Sequence, residues 1–285
     1  MNDFSQKLFI GLAQWHHPDW YPEQLKPQMA LATYAQHFSS VEGNNTFYGL
    51  PSVTTLSQWK EQSSSTFRFC FKFPQEITHQ RALHNCHRPL AEFLDRVYPL
   101  NEKLGMLWLQ MPATFSPAHL DDLAQFLTGL PKDFSFGIEI RHLGFFAKDD
   151  AEKRFNQLLM SHNINRVCFD TRSLFAYPQT DAITQEALKA KPRVPVHVIA
   201  TGSSPMVRFI TPLEMSQGYA YLTPWISKTL EWIHEGRTPY LFFHTPDNRF
   251  APQLAKYFMD KLYEQASLNS DFSLWDNTPP QTELF

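Results

Sequence analysis

Eight short apolar segments recur along the chain at intervals of about 29 to 40 residues, and this spacing limits the fold more than any other feature. The segments are rich in β-branched and aromatic residues, which is typical of buried strands. The expected strands are Phe9–Ala13, Phe38–Glu42, Phe67–Lys72, Met106–Gln110, Phe136–Ile140, Arg166–Asp170, Met206–Ile210 and Tyr240–His244. Each interval has room for a helix and two loops, so the sequence predicts a repeated strand–helix unit.

Helical patterns occupy most of the intervals. Ser52 is placed to cap a helix that runs through Leu56 and Trp59. Ser116-Pro117 combines an N-cap residue with a proline at the first helical position, and apolar residues follow at helical spacing. Further helical patterns include Leu90, Phe155, Ala182–Ala190, Trp225 and Leu254. Helices are therefore expected between successive strands.

Strands that are almost continuously apolar and alternate with helices are typical of a parallel sheet covered by helices. Eight such units predict an α/β fold of the (β/α)₈ TIM-barrel type, formed as a single domain by residues 1–266. An open doubly wound sheet is the alternative. Residues 267–285, which include Pro279-Pro280, are expected to form an extended C-terminal tail.

Composition excludes several classes of function. The net charge of −3 gives no basis for strong nonspecific binding to nucleic acid, which needs clustered cations. No apolar run approaches the roughly 18 residues of a membrane span, and the first residues do not resemble a secretory signal. Cys70 and Cys168 lie in apolar strands, where buried reduced thiols are expected. We therefore expect a cytoplasmic protein with no membrane contact.

Active sites of α/β barrels lie at the C-terminal ends of the strands and in the loops that follow. In this sequence nearly every expected strand ends on a side chain that can carry charge or form hydrogen bonds. Because buried charge must be paired or used, we expect these side chains to converge on one pocket. The candidates are Trp15, Glu42, Asn44, Lys72, Gln110, Glu139, Arg141, Asp170, Arg208 and His244.

Four of these residues are candidates for catalysis. Glu42 and Glu139 could divide acid and base roles, as paired carboxylates do in glycosidases. Among the histidines His244 is the candidate for proton transfer, and His244 or Asp170 could assist the two glutamates. The alternative for the two glutamates is neutralisation in ion pairs with neighbouring cations. The same four side chains could instead bind a divalent ion, although no zinc-binding spacing is present and no residue is assigned as a metal ligand.

Lys72, Arg141 and Arg208 could together bind a phosphate or a carboxylate, because guanidinium groups match oxyanions in geometry and charge. Lys72 could instead form a Schiff base if it were desolvated. The neighbouring carboxylates are expected to keep it protonated, which favours the anion-binding role. The sequence therefore predicts a small anionic ligand and indicates no particular cofactor.

Several segments together resemble the YecE-like proteins, domain-of-unknown-function family 72. The matching segments are Ile10-Gly11, Gln14-Trp15, Val41-Glu42-Gly43-Asn44-Asn45-Thr46-Phe47-Tyr48, Phe71-Lys72, Gln110-Met111-Pro112 and Glu139-Ile140-Arg141-His142. The resemblance implies a TIM-type barrel over nearly the whole chain and no established reaction. Thr46 and Tyr48 join the candidate ligand-binding residues because they lie in the most specific segment. The chain departs from the family pattern at Phe209-Ile210-Thr211 and at Phe243-His244-Thr245.

The chain ends in Gln281-Thr282-Glu283-Leu284-Phe285, which is similar to the short peptides that dock bacterial repair proteins onto the sliding DNA clamp. In that mode Gln281 would make polar contacts, while Leu284 and Phe285 would fill an apolar pocket. The alternative is a tail that folds back onto the barrel.

Three hypotheses of function follow from the sequence. The first is an enzyme, a hydrolase or a lyase, that acts on an anionic ligand. The second is an accessory protein of DNA maintenance, and the third is a metal-dependent hydrolase.

Overall fold

The computed structural model describes residues 7–275 and shows eight parallel strands that close into a barrel in sequence order. The strands are β1 (Phe9–Leu12), β2 (Ser40–Gly43), β3 (Arg68–Lys72), β4 (Leu104–Gln110), β5 (Ser135–Glu139), β6 (Asn165–Asp170), β7 (Met206–Ile210) and β8 (Tyr240–His244). β1 pairs with β8 through the register Phe9↔Tyr240, and this pairing closes the barrel. The predicted barrel is confirmed. An open sheet would have two unpaired edge strands, whereas here β1 and β8 pair with each other, so the open sheet is excluded.

Helices cover the outside of the barrel. They are α1 (Ala30–His37), α2 (Val53–Gln62), α3 (His87–Val97), α4 (Leu120–Thr128), α5 (Asp150–Ser161), α6 (Arg172–Ala176), α7 (Ala182–Ala190), α8 (Ser216–His234) and α9 (Ala251–Gln265). Ser52 caps α2 as predicted, with Oγ accepting a hydrogen bond of 3.0 Å from the Thr55 amide. Within residues 7–275 no helix has both the length and the apolarity that a membrane crossing needs.

Side chains alternate between two cores along every strand. Those that point outward pack beneath the helices, and those that point inward fill the barrel. The inner set is a separate cluster formed by Cys70, Met106, Trp108, Val167, Met206, Tyr240 and Phe242. Lys72, Arg208 and His244 each lie two positions beyond a member of this cluster. The strand period therefore directs all three toward the barrel axis at the C-terminal end.

The chain after α9 packs against the barrel as far as it is described. Phe272 lies with its ring 5.5 Å from that of Phe38, and the Trp275 ring lies 4.7 Å from that of Tyr21. Residues 267–275 contain no helix or strand. Gln281, Leu284 and Phe285 lie outside the described residues, so clamp docking stays a prediction.

Candidate functional site

Arg208 occupies the axis of the barrel at its C-terminal end and is only 4% exposed. Its Nε and one terminal nitrogen donate to the two carboxylate oxygens of Glu42 at 2.8 and 2.7 Å. Its other terminal nitrogen donates to Glu139 Oε2 at 2.5 Å. The guanidinium also stacks on the rings of Phe169 and Trp108, at 4.2 and 4.7 Å from their centroids. Side chains of β2, β5 and β7 thus meet in one group, which we call the axial cluster (Glu42, Glu139 and Arg208).

The remaining acceptor sites of both carboxylates are also occupied. Asn44 Nδ2 donates to Glu42 Oε1 at 2.9 Å, and His244 Nε2 lies 3.2 Å from Glu42 Oε2. Arg141 Nε donates to Glu139 Oε1 at 2.8 Å. Each of the four carboxylate oxygens therefore has at least one hydrogen-bonding partner, and the ion pairs considered from the sequence are the arrangement found.

Both glutamates are held in the ionised form. Burial by itself raises the pKa of Glu42, but the charge of Arg208 and the hydrogen bonds of His244 and Arg208 outweigh it and keep the pKa well below its usual range. Burial likewise opposes ionisation of Glu139, yet Arg141, Arg208 and Lys72 lower its pKa to about 2. A carboxylate that is ionised at neutral pH cannot act as a general acid. This environment disfavours the expected division of Glu42 and Glu139 into an acid and a base.

Lys72 lies beside the axial cluster but has a different set of partners. Its ammonium group donates to Gln110 Oε1 at 3.0 Å and lies over the rings of Trp108 and Phe47, at 4.8 and 5.1 Å. Within residues 7–275 no carboxylate is close enough to form an ion pair with Lys72. The side chain is 8% exposed, whereas Glu42 has no exposed surface.

The protonation of Lys72 differs from the expectation. Burial lowers the pKa of Lys72 from 10.5 to about 7, and the charge of Arg208 acts in the same direction. Glu42 and Glu139 oppose this shift without reversing it, because arginine side chains already engage both carboxylates. This lowered pKa disfavours the expectation that neighbouring acids keep Lys72 protonated, because part of the protein carries the free amine near neutral pH. The desolvation on which Schiff-base chemistry depends is present.

His244 is buried at the end of β8, with its ring 5.7 Å from that of Phe169. Burial lowers the pKa of His244 more than the neighbouring Glu42 charge raises it. The imidazole is therefore neutral at neutral pH, a state in which one ring nitrogen can accept a proton.

Lys191 is a site residue that the sequence does not reveal. It follows α7 directly and lies in the connection to β7, where it is not next to any strand end in the sequence. Its ammonium group lies 5.9 Å from the centroid of Phe169 and forms no ion pair with any side chain in the part of the chain described. Burial lowers the pKa of Lys191 most, and Arg208 lowers it further. The next residue is held at the barrel end, because Thr171 Oγ1 donates to the Pro192 carbonyl at 2.8 Å.

Three further predicted residues have distinct positions, two in the loop after β2 and one in the loop after β1. Thr46 is buried, and its hydroxyl donates to the Lys72 carbonyl at 2.6 Å, so it orients the end of β3. Tyr48 is 79% exposed, with its ring 5.1 Å from that of Phe47. Trp15 packs edge-on against Trp59 of α2 at 4.9 Å. Trp15 therefore contacts a helix, and no contact with the axial cluster supports its expected place in the pocket lining.

Asp170 does not join the other candidates. Both of its oxygens accept hydrogen bonds from Arg172, at 3.0 and 2.8 Å, and Trp225 Nε1 of α8 donates to Oδ2 at 2.8 Å. On β6 it is Phe169 that faces the barrel axis, so Asp170 points to the helices. Its position corrects the expectation that Asp170 assists the acid/base work of Glu42 and Glu139, because Asp170 links a strand end to α8.

The alternative in which Glu42, Glu139, Asp170 and His244 bind a divalent ion is not supported by the geometry of the described residues. Within residues 7–275 no three His, Cys, Asp or Glu side chains are grouped as metal ligands. Arg208 stands between Glu42 and Glu139, where a bridging cation would have to lie. Asp170 faces the opposite side of its strand, so the donor geometry does not fit a metal centre.

Comparison with known proteins identifies the family. The model of the family described as Protein of unknown function DUF72 matches residues 9–280. The chain belongs to the DUF72 family. It is 43% identical over 256 residues to the UPF0759 protein YecE of Escherichia coli K12, an alignment that covers 90% of this chain and 92% of that protein. The same identity and coverage hold for YecE of Escherichia coli O157:H7.

Solved structures of other DUF72 proteins have the same fold. A DUF72 protein from Enterococcus faecalis V583 matches with a TM-score of 0.67 at 18% identity, covering 95% of this chain and 100% of that one. A DUF72 protein from Thermotoga maritima also has a TM-score of 0.67, at 21% identity, with coverage of 90% and 98%. At these identities the likeness concerns the barrel fold alone.

Proposed function

We propose that this DUF72 protein is an enzyme that binds a small phosphate- or carboxylate-bearing ligand at the C-terminal end of the barrel. The observation that carries the proposal is the charge balance around Arg208. Four cationic side chains accompany two carboxylates, so positive charge remains in excess even when Lys72 is neutral. The group consists of Arg208, Arg141, Lys72, Lys191, Glu42 and Glu139.

Unused hydrogen-bond donors support an anionic ligand. Arg141 uses Nε for Glu139, and its two terminal nitrogens have no hydrogen-bond acceptor within residues 7–275. The Arg141 side chain is 20% exposed, so a ligand can reach it from solvent. Lys191 likewise has no acceptor for its ammonium group in the same part of the chain. A fork of guanidinium donors beside an ammonium group suits a phosphate or carboxylate.

Proton transfer in this site belongs to Lys72 and His244 more than to the two glutamates. A group with a pKa near neutrality combines the required protonation state with sufficient driving force for proton transfer. Lys72 has a pKa of about 7, and buried His244 is neutral. Glu42 and Glu139 are instead assigned to hold Arg208 on the axis.

Binding of inorganic phosphate to the full-length protein tests the proposal. We expect saturable binding by calorimetry, and we expect Lys191→Ala to weaken it about tenfold, or about 1.4 kcal/mol. The matched control is Lys189→Ala, because Lys189 is an exposed α7 lysine that already pairs with Glu186 at 2.9 Å. Equal affinity of the wild type and Lys191→Ala, or no saturable binding of phosphate or oxalate, contradicts the proposal.

A further inference from the structure

We infer that the Lys72 amine condenses with an aldehyde or ketone that carries a phosphate or carboxylate, forming an imine on the barrel axis. The inference rests on the proposed function, because Arg141 and Lys191 select the anionic substituent. Its basis is the position of the Lys72 amine at the C-terminal end of β3. The amine has one neutral hydrogen-bond partner, and an aromatic ring lies on each of two sides.

The surroundings of Lys72 favour the free amine. Gln110 is its sole hydrogen-bond acceptor within residues 7–275, and an amide oxygen carries no formal charge. Trp108 and Phe47 exclude water from two sides of the nitrogen, and this burial lowers the pKa of Lys72 more than any other cause. Nearby Arg208 adds repulsion. An unprotonated amine has the lone pair that attack on a carbonyl carbon requires, so the nucleophile is available near neutral pH.

Lys103 provides an internal contrast, because it is buried to the same 8% exposure as Lys72. Its ammonium group donates to the carbonyl oxygens of Lys60 and Ser63 and approaches the Ser63 hydroxyl at 3.3 Å. Burial lowers the pKa of Lys103 too, but its three acceptors bind the ammonium group and fasten the end of α2. Burial of a lysine is therefore insufficient for nucleophilic character. Lys72 differs because its nitrogen lies at the C-terminal barrel end with most of its donor capacity unused.

The proposed condensation is balanced without an oxidant, a reductant or another reactant. The nitrogen lone pair of Lys72 forms a bond to the carbonyl carbon, and one N–H proton moves to the oxygen to give a carbinolamine. The C–O bond then breaks, and the hydroxyl group leaves with the second N–H proton as water. The product is a C=N bond. This bond withdraws electrons from the adjacent C–C or C–H bond, which places the substrate class among carbonyl compounds that undergo cleavage or proton exchange next to the carbonyl.

Reductive trapping on the full-length protein tests the inference. The probes are glyoxylate and glycolaldehyde phosphate, each added with sodium cyanoborohydride near neutral pH, and peptide mass spectrometry locates the modified lysine. We expect Lys72 to be modified at least about tenfold faster than Lys103, since of these two lysines only Lys72 has an amine that faces the site. The modification should saturate with probe concentration and disappear in Lys72→Arg, which retains the positive charge but cannot form the imine. Modification of Lys72 no faster than that of Lys103 overturns the inference.

Two further measurements separate this inference from the proposed function. Inorganic phosphate should slow the trapping at Lys72, and Lys191→Ala should weaken that protection. Phosphate binding that depends on Lys191 together with an unmodified Lys72 would refute the imine and leave the anion site standing. Rapid modification of Lys72 that neither phosphate nor Lys191→Ala alters would support the nucleophile and refute the proposed anion site. Circular dichroism of Lys72→Arg checks that its barrel remains folded.

Discussion

Two arginines are buried almost equally in this protein, but the charged groups around them differ. Arg208 of the axial cluster is 4% exposed, and Arg166 at the start of β6 is 5% exposed. Arg166 forms what we call the lateral cluster (Arg166, Glu152 and His197), which lies between the barrel and α5. Arg166 donates to Glu152 at 2.9 Å, and His197 Nδ1 lies 2.6 Å from the same oxygen.

The lateral cluster contains equal positive and negative charge. Around the axial cluster, the neighbouring cationic side chains leave an excess of positive charge. Arg166 meets one carboxylate, and its remaining bonds go to the neutral oxygens of Asn156 and Phe145 at 2.7 and 3.1 Å. Arg208 meets two carboxylates, one of which Arg141 also binds, while Lys72 and Lys191 have no carboxylate partner within residues 7–275. A buried arginine alone therefore indicates structure, and unsatisfied cations beside it indicate a ligand.

The largest expected effect is on the axial cluster. Arg208→Met should lower the free energy of unfolding by about 3–5 kcal/mol, because buried Glu42 loses its main counter-charge and buried Glu139 loses one of its two arginine partners. Urea denaturation near neutral pH measures the loss. Adding Glu42→Gln to Arg208→Met should recover part of the stability by removing one orphaned charge. A loss below about 1 kcal/mol would contradict this reading of the cluster.

A smaller loss is expected in the lateral cluster. Arg166→Met should cost about 2–3 kcal/mol, since one carboxylate loses a charged hydrogen bond but keeps others. Glu152 retains the Lys148 amide at 2.9 Å and the His197 ring. Phosphate affinity should remain unchanged in this variant. Calorimetry that shows a loss of phosphate binding comparable to that of Lys191→Ala would remove the distinction between the two clusters.

Substitution of Lys72 should increase stability at mildly acidic pH. The folded pKa of about 7 lies below the unfolded value of 10.5. Below pH 7 the folded state therefore carries the whole cost of a buried, charged Lys72. Lys72→Met should therefore gain about 1 kcal/mol near pH 6. Between the two pKa values wild-type stability rises with pH, and the advantage of Lys72→Met declines.

Burial sets most of this pH dependence, and the four charged neighbours of Lys72 modify it: Arg208, Glu42, Glu139 and Arg141. Lys103→Met is the control, and it should be destabilised because its three acceptors are left unpaired. Thermal denaturation across pH measures both variants. A Lys72→Met variant that is less stable than the wild type near pH 6 and near pH 10 alike would refute the depressed pKa.

The smallest expected change in stability is at Lys191. Lys191→Ala should alter the free energy of unfolding by less than about 0.5 kcal/mol, because the ammonium group has no ion-pair partner within residues 7–275. The same variant should show the largest loss of phosphate affinity among the lysine variants. A destabilisation above about 1 kcal/mol, measured by urea denaturation, would indicate a structural role for Lys191 instead.

Most of the fold could be predicted because local patterns specify it. All eight predicted strands are present, with ends within about two residues of the expected positions. Helix α1 was not predicted, and its N-terminus has no side-chain cap to mark it. The short helix α6 was also missed, because five residues are too few to show helical periodicity.

The candidate site could be predicted only in part. The convergence of Glu42, Glu139 and Arg208 follows from their places at strand ends in a closed barrel. The orientation of Asp170 could not be predicted, because β6 is buried on both faces and its apolar pattern does not distinguish inside from outside. Lys191 could not be found either, since an irregular connection carries it to the barrel end.

The periodic spacing of apolar segments is thus sufficient to specify a parallel barrel and the end at which its charged groups gather, because both depend on near-neighbour patterns along the chain. The protonation of those groups required the folded arrangement. Arg208 and Glu42 are separated by 166 positions in sequence and lie 2.7 Å apart in the barrel. Desolvation and charge act over a few ångströms, so contacts between distant segments determine that Glu42 stays ionised and that Lys72 can lose its proton.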